Sequence, residues 1–128
     1  MRSNTNELRK ELAAVIKAAI PSGARLHHVN FPKPAVYPYA VYEVRDVSSL
    51  DGRTSSTLEI DCVDYSDDAK SVNNMADAVQ DALDHEPVNT SKVFFHCYSA
   101  RRYAVNEEDK MIKRIHLQMD LYHYTKED

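Results

Sequence analysis

Glycine is nearly absent. The 128 residues hold two, Gly23 and Gly52. That excludes the glycine-dependent motifs: a P-loop, a G-x-G-x-x-G turn and a G-x-S-x-G nucleophile elbow. Both glycines fall where turns are expected. Cysteine is equally scarce. Cys62 and Cys97 lie far apart with no C-x-x-C, so neither a zinc ribbon nor a redox motif is available. Each falls within an expected strand, as a buried free thiol acting as a small hydrophobe. A disulfide is not expected in a reducing compartment. No apolar run approaches the length of a membrane span, and residues 1–20 are amphipathic and charged rather than a secretory block. A cytoplasmic start and no membrane partner are the expectation. Basic charge is not in excess either. Sixteen Lys and Arg against 20 Asp and Glu give a net charge of −4, which argues against a dedicated nucleic-acid binder.

What is present reads as one ordinary globular domain, residues 1–128, long enough for one real core. The chain is organised around residues 56–85. Leu58, Ile60 and Cys62 alternate with Glu59, Asp61 and Val63, the period of a half-buried strand. Ser66, Asp67 and Asp68 suit a helix start. Ala69, Val72, Ala76, Val79 and Leu83 then recur at helical spacing as a narrow stripe that must lie on a sheet. Pro87 stops the helix.

An earlier helix is expected from Asn4, with Glu7 three residues on as a capping-box partner. Leu8, Leu12, Val15, Ile16 and Ala19 form its apolar face, and Pro21-Ser-Gly23 ends it. Residues 25–29 read as a short strand. Residues 30–38 hold three prolines and read as an extended connector. Residues 39–47 form a strand, and 48–55 a long Ser/Thr-rich arm with Asp51-Gly52 at its tip. Residues 86–91 read as a polar connector, 92–99 as a strand ended by Arg101-Arg-Tyr103, 106–109 as an acidic turn, and 111–124 as a long strand. The order α-β-β-β-α-β-β with short connections implies an α+β fold. It has a mostly antiparallel sheet of about five strands, with two helices packed on one face.

No constellation carries a catalytic signature. The six histidines include no H-E-x-x-H, and the adjacent His27 and His28 face opposite sides of a strand. His116, Gln118 and Asp120 share one strand face. His96, His116 and Asp120 are the residues a small cytoplasmic hydrolase or metal-dependent enzyme would use, the alternative reading. Asp61 is expected to face solvent opposite Ile60 and Cys62. Tyrosine is over-used, eight in all. It suits an interface because it buries an apolar body and keeps a polar tip; cross-strand packing explains it equally well. A third reading, a single-strand nucleic-acid platform of sheet tyrosines, has only Arg101, Arg102, Lys113 and Arg114 as a near-cluster of cations. An interaction protein is favoured over an enzyme, and no cofactor or metal is expected.

The order of elements resembles a known family. A four-turn N-terminal helix is followed by a Pro-rich connector into Tyr37-Pro-Tyr-Ala-Val-Tyr42 and then a hairpin. The strand Leu58–Tyr65 feeds an Ala-rich helix, and a closing hairpin ends in Leu121-Tyr-His-Tyr124. This arrangement, over residues 7–124, resembles the small tail-completion or tail-terminator proteins of tailed bacteriophages, also called head–tail joining or minor capsid proteins. The resemblance implies a structural virion protein without catalytic residues, assembled in the host bacterial cytoplasm and placed at the head–tail interface. It implies a homo-hexameric ring that caps the tail tube and meets the head connector or stopper, with DNA only passing through the lumen. On that reading Leu50, Asp51, Gly52, Arg53, Arg101, Arg102, Tyr122 and Tyr124 are the candidate interface residues, and the acidic balance lets DNA slide.

Overall fold

Eight elements follow in order: α1 (Thr5–Ala19), β1 (Arg25–His28), β2 (Tyr39–Leu50), β3 (Arg53–Tyr65), α2 (Lys70–Leu83), β4 (Val88–Asn89), β5 (Val93–Val105) and β6 (Ile112–Thr125). They come from a computed structural model that describes residues 5–50 and 53–125. The expected cap Asn4 and the turn residues Asp51 and Gly52 lie outside the described residues. The fold is α+β. Its sheet has six strands in the order β1-β2-β3-β6-β5-β4, with β1 parallel to β2 and every other pair antiparallel. It is therefore mixed, and it has one strand more than the expected five. The extra strand, β4, is two residues long, too short to show a period.

Both helices pack on one face. Leu8, Leu12 and Ile16 of α1 join Val72, Met75, Ala76, Val79 and Leu83 of α2 in one buried cluster. The same cluster takes Ala40 and Tyr42 from β2, Leu58, Ile60 and Cys62 from β3, Phe95 and Cys97 from β5, and Leu117, Met119 and Leu121 from β6. Alternate strand residues supply one face, as the pleat requires. The helix stripe differs from expectation at two positions. Ala69 is exposed at the N-cap, and Met75 takes its place in the core. The start signal is placed one step upstream: the Lys70 N–H donates to the Asp68 carboxylate at 2.9 Å, while Ala69 offers no side-chain cap.

Two segments overturn the expected boundaries. Within the arm, residues 48–50 and 53–55 are strand, not loop. Ser48 pairs with Ser55, Ser49 with Thr54 and Leu50 with Arg53, past a register shift between Arg45 and Ser48. The polar composition misled because these residues gain a third strand: Thr54 lies opposite His123 and Ser55 opposite Tyr122 on β6. Likewise β5 continues through Arg101-Arg-Tyr103 to Val105, past a bulge between Ser99 and Arg101, because β6 offers partners as far as Arg114.

The connector 30–38 has cis bonds at Lys33–Pro34 and Tyr37–Pro38. It packs Ala35 and Tyr37 against Tyr39, Val41 and Val63, a second small cluster on the helix-free face. Val29 opens it in the left-handed region, φ 69°, held by its N–H donating to the Tyr42 carbonyl at 3.0 Å.

Candidate functional site

The helix-free face carries the strand residues that alternate with the core, and it divides into two ends. At one end is a charged cluster. Asp61, expected in solvent, is 8% exposed. Its Oδ1 accepts from Arg114 Nε and from the His116 ring Nδ1, each at 2.9 Å. The reason is register: Asp61 lies directly opposite His116, so β6 brings both donors over it. Arg114 also reaches Glu107 at 3.3 Å and lies over the Phe31 ring at 4.8 Å. Burial disfavours its charge, but the bonds from Asp61 and Glu107 outweigh that, and its pKa is raised. Tyr103 covers His116 at 5.1 Å between ring centroids. Beside it, the like-charged cross-strand pair Glu43 and Glu59 is bridged by Arg45 Nε at 3.1 and 2.9 Å. Glu43, Arg45, Glu59, Asp61, Arg114 and His116 line a cavity of about 220 Å³ with Val29 and Phe31. Acids and bases in it are already matched.

At the other end is an aromatic ladder. Phe94 stacks on Tyr124 at 5.3 Å, His96 lies against Tyr122 at 5.4 Å, and Tyr98 against Tyr122 at 6.0 Å. These are cross-strand neighbours of β5 and β6. His96 Nδ1 is bonded to the Tyr98 hydroxyl at 2.9 Å. Asp120, opposite Tyr98, stands exposed at the ladder's edge.

The candidate interface residues are not brought into one patch. Tyr122 and Tyr124 belong to the ladder. Leu50 and Arg53 close the β2–β3 hairpin at the same end of the sheet, since the next pair, Thr54 and His123, adjoins Tyr124. Arg101 stacks on Tyr103 at 5.0 Å, toward the other end. Arg102 points to the helix side, where it donates to Asp77 at 2.6 Å, Gln80 at 2.9 Å and Asn73 at 3.3 Å. It fastens α2 to β5 and is no free contact residue. The enzyme constellation does not converge either. His96 and His116 are bonded to different partners, and His116 and Asp120 stand about 13 Å apart along one strand, four residues at the rise of a strand. Among the described residues no group of three His, Cys, Asp or Glu could hold a metal ion.

Sequence reasoning missed the Ser56–His123 pair, hydrogen-bonded at 3.0 Å and buried on the helix side. Burial holds His123 below the usual histidine range. The signal was present as parity with Leu58 and Leu121, which placed both on the core face. The thiols are as expected. Burial, with a neighbouring acid, pushes Cys62 and Cys97 up to about 12, so neither is a nucleophile.

With this geometry in place, comparison with known proteins bears on the fold. The same fold occurs in a virion. A chain from the virion of a native gene transfer agent particle superposes with a TM-score of 0.63 at 21% identity, covering 97% of this chain and 92% of that one. The likeness of fold thus runs nearly end to end in both chains. No family model and no curated sequence matches the chain. No described helix is long and apolar enough to cross a membrane.

Proposed function

We propose that this chain is a structural protein of a phage-like virion. In this reading it completes or terminates the tail tube and joins it to the head connector or stopper, as a homo-hexameric ring. The observation that carries the proposal is the likeness of fold, almost coextensive in both chains, to a chain of a gene transfer agent virion. The family resemblance of the Tyr37–Tyr42 block and the strand–helix unit points the same way. The surface supports it further: the histidines are tied to separate partners, and the helix-free face is broad and half aromatic, which suits assembly better than turnover. The role is non-enzymatic, its place is the head–tail interface, and DNA only passes through the ring.

Native mass spectrometry and negative-stain imaging of the purified protein test the ring, and complementation of a tail-assembly defect tests the role. Six-fold rings and restored joined particles are expected. A protein that fails to complement while folding and assembling normally overturns the tail role.

A further inference from the structure

We infer that the charged cavity on the helix-free face receives an arginine side chain of a partner protein. Each base in it has its acids, yet the acids are in excess. Arg45 Nε bridges Glu43 and Glu59 at 3.1 and 2.9 Å, and Arg114 bridges Asp61 and Glu107 at 2.9 and 3.3 Å. Four carboxylates against two guanidiniums leave these six groups with a net charge of −2. Such a lining repels an anion and attracts a cation.

Unused acceptors stand close together there. Glu43 lies directly opposite Glu59, and Asp61 follows two residues on, on the same face of β3. Both bonds to Asp61 end on Oδ1, and Arg45 takes only the Oε2 of Glu43. Among the described residues no donor reaches Asp61 Oδ2 or Glu43 Oε1. Asp61 is 8% exposed, but no fully buried polar atom is left without a partner, so its Oδ2 is open to the cavity it lines. The volume of about 220 Å³ equals about seven waters at ~30 Å³ each. That is room for the end of a long side chain. One wall is the Phe31 ring, half open to solvent, over which Arg114 already lies at 4.8 Å. A guanidinium fits this lining better than other cations. It is planar and weakly hydrated, donates to two carboxylates at once and stacks on rings. The cavity holds two guanidiniums in that manner, each between a pair of acids. A metal ion is a poorer occupant, since among the described residues no group of three His, Cys, Asp or Glu could hold one.

This inference rests on the cavity and not on the ring. Amide NMR shifts of the full chain at pH 7 and low salt test it, with N-acetyl-arginine amide as the probe. N-acetyl-citrulline amide is its neutral isostere, and putrescine stands for a free polyamine. The arginine probe should saturate and move the amides of Glu43, Glu59 and Asp61, and the citrulline probe should not. Glu43→Gln should weaken binding about tenfold by removing a charged acceptor, and Arg45→Gln should tighten it about tenfold by releasing two acids. Both variants should keep the wild-type spectrum elsewhere; if Arg45→Gln does not fold, Glu43→Gln decides alone. No saturable shift at these residues, equal binding of citrulline, or charge variants without effect overturns the inference. Tighter binding of putrescine than of the arginine probe overturns the assignment to a protein partner. A missing hexamer alongside the expected titration sinks the ring alone.

Discussion

Two alanines, one inside α2 and one at its N-cap, make a sharp test of the packing. Ala76 is fully buried against the sheet, whereas Ala69, which shares its apparent stripe, is exposed at the N-cap. An aspartate at position 76 has no polar partner in the cluster of aliphatic side chains around it. At pH 7 it avoids a buried charge by staying protonated. From a free carboxyl pKa of about 3.9, that costs about 4 kcal/mol, at 1.36 kcal/mol per unit. Burying the neutral carboxyl adds about 1–3 kcal/mol, and crowding a packed core about 1–3 more. The sum is of the order of the whole stability of a domain this size, about 5–15 kcal/mol. The sign with pH follows. The native carboxyl's pKa is raised, so the native state binds the extra proton, and the deficit grows as pH rises above the unfolded value. Going from pH 7 to pH 5 should return about 2.7 kcal/mol. Ala69→Asp adds a carboxylate to a solvated helix start and should stay within about 0.5 kcal/mol of wild type. Urea melts of both variants at pH 5 and pH 7 decide the matter. A buried-site variant with wild-type melting at pH 7, or an N-cap variant that unfolds, would show that the helix register is wrong.

Three further outcomes follow from other sites. His123 is held neutral by burial, its pKa lowered, so the unfolded state takes a proton first as pH falls through about 6.5. Stability should drop from pH 7 toward pH 5, and His123→Gln should flatten that slope in chemical melts. Cys62 and Cys97 should resist alkylation at pH 8 in the native protein and react only at the unfolding rate, read by intact mass. Gly23 turns the chain after α1 at φ 90° with open space around it, so Gly23→Ala should cost about 1 kcal/mol through backbone strain alone, seen as a lower melting temperature.

The periodic parts of the fold were legible. Leu58, Ile60 and Cys62 on β3 and Val72, Ala76, Val79 and Leu83 on α2 lie where alternation and helical spacing put them, because one buried face dictates both patterns. What failed was set by distant pairing. The Ser/Thr run 48–55 has the composition of a loop, yet residues 48–50 and 53–55 are strand, because β6 lies beside the second of these pieces. Asp61 alternates with core residues as a solvent-facing acid does, yet Arg114 and His116, more than fifty residues on, bury it. Arg102 looked like a free cation until α2 supplied Asp77, Gln80 and Asn73. Among the candidate interface residues, alternation fixes the sheet face of Tyr122 and Tyr124. Which neighbours complete that face depends on strand order, which no local pattern encodes.

The position of β6 between β3 and β5 bears on how the chain folds. The sheet's centre joins residues 55 and 67 apart in sequence, as at Asp61 with His116 and Ser56 with His123. The β2–β3 hairpin closes locally and early, but its second edge waits for the segment 112–125. Loops of that length close at an entropic cost before any contact rewards them, so folding should fall in the millisecond-to-second range rather than the microsecond range. During synthesis the β2–β3 hairpin emerges well before β6, with the unpaired edge of β3 open to neighbouring chains. Crowded expression should therefore favour aggregates seeded by that edge, and slowing synthesis before β6 should make them worse.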